Sequence, residues 1–182
     1  MAGPARVLVL GGQRSGKSRY AEQLVAVSGR RLVYLATATA GDGEMAERIA
    51  RHQARRGEAT WRTVEEPLDL AGVLLREART DTAVLVDCLT LWLTNLMASG
   101  RPIEAQTDRL VAALGAVAGP VAIVSNEVGS GIIPANALAR RYADELGTLN
   151  QRVAEVVDRV VLMVAGMPLV LKPVQKQNEV VL

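Results

Sequence analysis

Gly11, Gly16, Lys17 and Ser18 stand in the order G-x-x-x-x-G-K-[ST], a spacing suited to holding a phosphate chain. Glycines let the backbone curl so that its N–H groups point at phosphate oxygens. The lysine reaches the outer phosphates, and the neighbouring hydroxyl can hold Mg²⁺. The whole run of Gly11, Gly12, Gln13, Arg14, Ser15, Gly16, Lys17 and Ser18 is therefore a candidate nucleotide site. Asp87 closes the apolar run AVLVDC. A carboxylate there can hold the metal through water, though the position also suits a helix cap or a turn. His52 is the only histidine. With Met45 and Ile49 it falls on one face of an expected helix, which fits packing as well as chemistry. Arg48, Arg51, Arg55 and Arg56 equally fit a solvated face.

These residues need a frame. Short β-branched runs are expected as strands at residues 6–10, 32–35, 60–64, 83–87, 121–125, 159–164 and 169–172. Helical patterns fill most gaps, at 17–28, 44–56, 68–78, 89–98, 103–117 and 135–157. The runs beginning at Val7, Ala83 and Val121 are apolar throughout, as in a parallel sheet covered on both faces. Alternation of this kind predicts βαβ units with right-handed crossovers. In the last helix, Leu138, Tyr142, Leu149, Val153 and Val156 recur at roughly helical spacing. The end of the chain, residues 173–182, is polar and then apolar, the pattern of a loosely held tail.

Composition narrows the function. The 182 residues suit one compact domain spanning 1–182. No apolar run is long enough for a membrane span, and the first six residues are too short and polar for a signal peptide. One cysteine, Cys88, excludes an internal disulfide and fits a reducing cytoplasm. It reads as a small buried hydrophobe. Arginine supplies all but three of the 21 basic residues and suits bidentate phosphate binding. The charges are scattered among acids without interleaved aromatics, which points to small anionic ligands rather than nucleic acid.

A nucleotide-triphosphate protein of this size has three broad options. A guanine-reading switch would carry N-K-x-D, and no such segment exists, SNEV at 125–128 included. A motor ATPase would be larger and have a polymer partner. A small-molecule transferase fits the size and the absence of a basic groove.

Seven segments together make the chain resemble a known family. They are GGQRSGKS (11–18), YLATA (34–38), EMAERIARHQARR (44–56), WRTVEE (61–66), VDCLTLWLTNL (86–96), SNEVGSGIIP (125–134) and LGTLNQRVAE (146–155). The chain resembles the bifunctional adenosylcobinamide kinase/adenosylcobinamide-phosphate guanylyltransferases of cobalamin biosynthesis. The resemblance implies two reactions: phosphorylation of adenosylcobinamide by ATP or GTP, then transfer of GMP from GTP to the new phosphate, with release of pyrophosphate. It implies a guanylylated histidine, which here is His52, and a homo-oligomer, a trimer by that resemblance. It also implies that Ala36, Thr37, Ala38, Gln53, Ala54, Arg55, Arg56, Glu65 and Asp87 line the nucleotide site, with Glu65 accepting from guanine. Lys17 would assist both steps, and Ser18 and Asp87 would hold Mg²⁺. Asn126, Glu127 and Gly129 are expected to border the site. The expected fold is α/β: one P-loop NTPase domain, RecA-like, with a mostly parallel sheet and flanking helices.

Overall fold

In a computed structural model of the chain, residues 5–38 and 61–173 are described. Seven strands form one sheet: β1 (Arg6–Gly11), β2 (Arg31–Ala36), β3 (Trp61–Glu65), β4 (Thr82–Asp87), β5 (Val121–Val124), β6 (Arg159–Val164) and β7 (Met167–Lys172). Their order across the sheet is β3-β2-β4-β5-β1-β6-β7. Every pair is parallel except β6 with β7, which are antiparallel. The helices are α1 (Lys17–Ala26), α2 (Leu70–Glu77), α3 (Leu89–Ala98), α4 (Ile103–Ala116) and α5 (Ala137–Val156).

Strand periodicity sorts the core into two layers. Leu8 and Leu10 of β1, Val84 and Val86 of β4, and Ile123 of β5 face α2 to α5, where they meet Leu74, Trp92, Leu93, Leu110 and Leu149. The alternate residues Val7, Val9, Leu85 and Val124 face α1 through Ala21 and Val25. The central strands are thus buried on both sides, which is why their sequences read as unbroken apolar runs.

The expected strands all form, with ends displaced by at most two residues. The expected helix at 44–56 lies outside the described residues, as do 174–182. One expectation about α5 fails. Helical spacing places Leu138 on its apolar face, yet Leu138 is exposed, and burial on this helix begins only beyond Arg141. The first turn projects past the packed body, so helical spacing alone does not bury it. Asn136 fixes its start, its side-chain oxygen accepting from the N–H groups of Leu138 and Ala139.

Candidate active site

The phosphate loop follows the carboxyl end of β1, and strand order reverses around β1, with β5 on one side and β6 on the other. In open α/β sheets ligands bind in the crevice beyond the carboxyl ends at such a reversal. Two glycines set the loop's shape. Gly11 has φ +150°, and a Cβ there would stand 2.6 Å from both the Met163 carbonyl oxygen and Ser15 Oγ. Gly16 has φ +98°, with Gly166 Cα 3.3 Å from where its Cβ would be. Side chains are excluded at both, so the chain must be glycine to pass so close to β6 and the β6–β7 turn.

α1 begins immediately at Lys17, so its unpaired N–H groups and positive dipole end face the loop. Lys17 is buried, and its Nζ reaches back to donate to the Gly12 carbonyl at 2.6 Å. That contact holds the ammonium over the loop. Ser15 Oγ is buried without a hydrogen-bond partner among the described residues, an orphaned donor that suits an anionic oxygen.

Three expected site residues fall in one row. In the strand register Ala36 stands beside Glu65 on one side and Asp87 on the other. All three end their strands at the carboxyl edge, the same edge as the phosphate loop. Asp87 Oδ2 accepts from Tyr34 Oη at 3.1 Å. Glu65 is exposed. With strands about 4.8 Å apart, Glu65 lies roughly 19 Å across the sheet from β1, comparable to an extended nucleoside triphosphate.

Thr37 is fully buried. Its hydroxyl accepts from the Cys88 N–H at 2.8 Å and donates to the Cys88 carbonyl at 2.7 Å. Cys88 itself is buried, and burial, with a smaller push from the Asp87 charge, raises its thiol to about 11. It is an inert small side chain, as expected. Ala38 follows as the last described residue before 61, while His52, Gln53, Ala54, Arg55 and Arg56 lie outside the described residues.

Sequence reasoning assigned no role to the side chains that hold this edge together. Asn95 of α3 donates to the carbonyls of Thr37 at 2.7 Å and Pro67 at 3.2 Å. The loop after β5 is held by Thr90, whose Oγ1 accepts from the Asn126 N–H at 2.9 Å. Asn150 Nδ2 donates to the Asn126 carbonyl at 3.1 Å. The Glu127 N–H donates to the Gly11 carbonyl at 3.0 Å, so this loop does border the phosphate loop. A polar residue inside an apolar stretch, such as Asn95 in LTLWLTNL, was the available signal.

Among the described residues, no cluster of three metal-binding side chains is found, and no helix is long and apolar enough to cross a membrane.

Comparison with known proteins agrees with this geometry. Two solved structures share the fold: the RadB recombinase, with TM-score 0.53 and 17% identity, covering 88% of this chain and 74% of that one, and the flagellar accessory protein FlaH of Methanocaldococcus jannaschii, with TM-score 0.53 and 8% identity, covering 94% and 80%. The architecture is that of a RecA-like P-loop NTPase. At the sequence level, the bifunctional adenosylcobalamin biosynthesis protein CobP of Pseudomonas aeruginosa is 53% identical over 169 residues, 92% of this chain and 97% of that protein. The bifunctional adenosylcobalamin biosynthesis protein CobU of Salmonella typhimurium is 38% identical over 181 residues, 91% and 99% respectively. The model of the family described as cobinamide kinase / cobinamide phosphate guanyltransferase matches residues 7–171. With the phosphate loop, the carboxyl-edge row and a match over nearly its whole length in agreement, the chain belongs to the cobinamide kinase / cobinamide phosphate guanyltransferase family.

Proposed function

We propose that one nucleotide-binding domain performs both reactions of the family, with the phosphate loop serving the first and His52 the second. The chain is a bifunctional kinase and guanylyltransferase of cobalamin biosynthesis. In the first reaction the hydroxyl of the aminopropanol arm of adenosylcobinamide attacks the γ-phosphorus of ATP or GTP, and the nucleoside diphosphate leaves. In the second, a nitrogen of His52 bonds to the α-phosphorus of GTP as the α–β bridge breaks and pyrophosphate departs. An oxygen of adenosylcobinamide phosphate then attacks the same phosphorus, freeing the imidazole and yielding adenosyl-GDP-cobinamide.

The observation that carries the reading is Lys17, held by Gly12 at the amino end of α1 inside a G-x-x-x-x-G-K-S loop. Phosphoryl transfer needs mainly positioning and charge stabilisation, which this loop is shaped to supply. A neutral imidazole is a competent nucleophile near pH 7, and His52 is the only histidine available. Arg55 and Arg56 follow it closely in sequence and would meet the departing pyrophosphate. Glu65, at the far end of the edge row, would accept from guanine, with Gln53, Ala54, Ala36, Thr37 and Ala38 completing the nucleotide surroundings.

Mg²⁺ fits the oxygen donors present: the Ser18 hydroxyl at the start of α1 and the Asp87 carboxylate at the end of β4 would hold it. It would neutralise phosphate charge during transfer. The working assembly is a homo-oligomer, a trimer in this reading, acting in the cytoplasm.

Incubation with GTP labelled at the α-phosphate tests the central step. The protein should acquire acid-labile, base-stable label, and His52→Ala should carry none while still phosphorylating adenosylcobinamide. Equal loss of both activities in that variant would reduce His52 to a structural residue.

A further inference from the structure

The stretch between β5 and the first buried turn of α5 carries four large apolar side chains that the core does not use. Ile132 is 97% exposed, Ile133 80%, Leu138 65% and Val128 40%. A single exposed isoleucine is ordinary, but four exposed large apolar side chains within residues 128–138 make this stretch a candidate binding surface. The stretch is nevertheless tied down at both ends. Its root is bonded to Thr90, Asn150 and Gly11 as described above. Its far end is held by Arg140, whose Nη1 donates to the carbonyls of Pro134 at 2.9 Å and Ala135 at 2.6 Å.

Gly129 and Gly131 lie within it, and neither has a positive φ. A Cβ at Gly131 would meet nothing, and one at Gly129 would meet only the Glu127 carboxylate. The backbone turn does not require glycine at these positions. Their effect is to leave bare peptide surface between apolar side chains, against which a broad ligand can lie.

We propose that this patch is the docking surface for the corrinoid macrocycle of the cobinamide substrate. The inference rests on the functional reading above and adds a location to it. The Glu127 to Gly11 hydrogen bond sets the root of the patch against the phosphate loop. A macrocycle seated there brings its hydroxyl-bearing arm beside the phosphate to be transferred. A corrin ring has broad faces studded with methyl groups and a rim of amides. The isoleucines and Val128 suit the faces, while the open peptide groups and the Asn126 and Glu127 side chains suit the amides. The other exposed apolar group, Met167, Leu169, Val170 and Leu171, has different chemistry. It lies on β7, the last strand of the sheet, whose backbone edge suits pairing with another chain. The loop patch has no such edge.

The test uses the intact protein carrying Ile132→Ser, Ile133→Ser and both together. Both side chains are exposed, so neither change disturbs the core. Adenosylcobinamide binding is followed by equilibrium dialysis through its own visible absorbance, and KM values are measured for adenosylcobinamide and for the nucleotide. The corrinoid KM and dissociation constant should each rise roughly tenfold per isoleucine removed, with GTP affinity and sedimentation mass unchanged. Wild-type corrinoid affinity in the double variant would overturn the proposal. So would weakened corrinoid binding accompanied by a change in mass, which would make the patch an interface between copies. A parent protein that binds GTP but neither binds nor phosphorylates adenosylcobinamide would overturn the functional reading itself, and the docking surface with it.

Discussion

The backbone N–H of Gly166 donates to the carbonyl oxygen of Ser15 across 3.0 Å. The turn between the last two strands therefore holds the middle of the phosphate loop from outside. Met163 of β6 closes the same loop from beside Gly11. The loop's shape is imposed by the far end of the chain as well as by its own glycines.

Gly11→Ala would drive a methyl group into that contact. The obstruction includes the Met163 carbonyl, a backbone atom that cannot swing aside. Overpacking of this kind costs about 1–3 kcal/mol, and the loop should lose nucleotide affinity. Thermal melting and GTP titration would show both. Gly147→Ala is the contrast: it lies in α5, its added Cβ meets nothing, and it should stabilise by about 0.5–1 kcal/mol.

Lys17→Ala removes the charge that Gly12 holds over the loop. Both half-reactions should slow by roughly a hundredfold or more, because both place triphosphate charge on the same loop. The measurements are corrinoid phosphorylation and guanylyl transfer assayed separately, together with GTP affinity. Unchanged values would remove Lys17 from the active site.

Asn95→Ala leaves the Thr37 and Pro67 carbonyls without their side-chain donor. An unpaired buried polar group costs about 1–3 kcal/mol, so the melting temperature should fall by about 2–4 °C per kcal/mol for a chain of this size. Asn95→Asp should fall further, since a carboxylate would face two carbonyl oxygens.

Asp158 joins the starts of β1 and β6. It accepts from the Arg6 backbone N–H at 2.7 Å, from Nε at 3.0 Å and from Nη2 at 3.1 Å. The hydrogen bonds from the Arg6 side chain hold its carboxyl below the usual range, against a smaller opposing effect of burial. A carboxyl depressed in the folded state stabilises above its unfolded value, about pH 3.9, and that stabilisation fades as pH falls through the folded value. Because Asp158 is 44% exposed, solvent screening keeps the contribution to about 0.5 kcal/mol. Asp158→Asn should therefore melt slightly below wild type at pH 7, and the gap should begin to narrow below about pH 4. A gap that did not narrow at all as the pH was lowered through the acid range would assign the effect to something other than ionisation.

Much of the fold was legible in the chain because its signals are local. A buried parallel strand must be apolar on both faces, so β1, β4 and β5 announce themselves over a few residues. The phosphate loop is equally local, since its glycines, lysine and hydroxyl act within eight residues of one another. Spacing alone puts only Asp87 at a strand end; Ala36 and Glu65 lie one residue past the expected strands and enter through the family resemblance, and nothing in the sequence makes the three neighbours. Their row exists only because β2 lies between β3 and β4 in the sheet, an order that no local pattern encodes.

The same limit explains what was missed or misplaced. Leu138 has the period of a core residue, but the body it would pack against stops short of the first turn of α5. Asn95 and Gly166 act on partners tens to more than a hundred residues away, and only the folded chain brings those carbonyls within hydrogen-bond reach. The sequence by itself determined which groups are able to hold phosphate and which runs must be buried. The tertiary structure decided which carbonyls the remaining polar groups satisfy, because hydrogen bonds are set by distance in space and not along the chain.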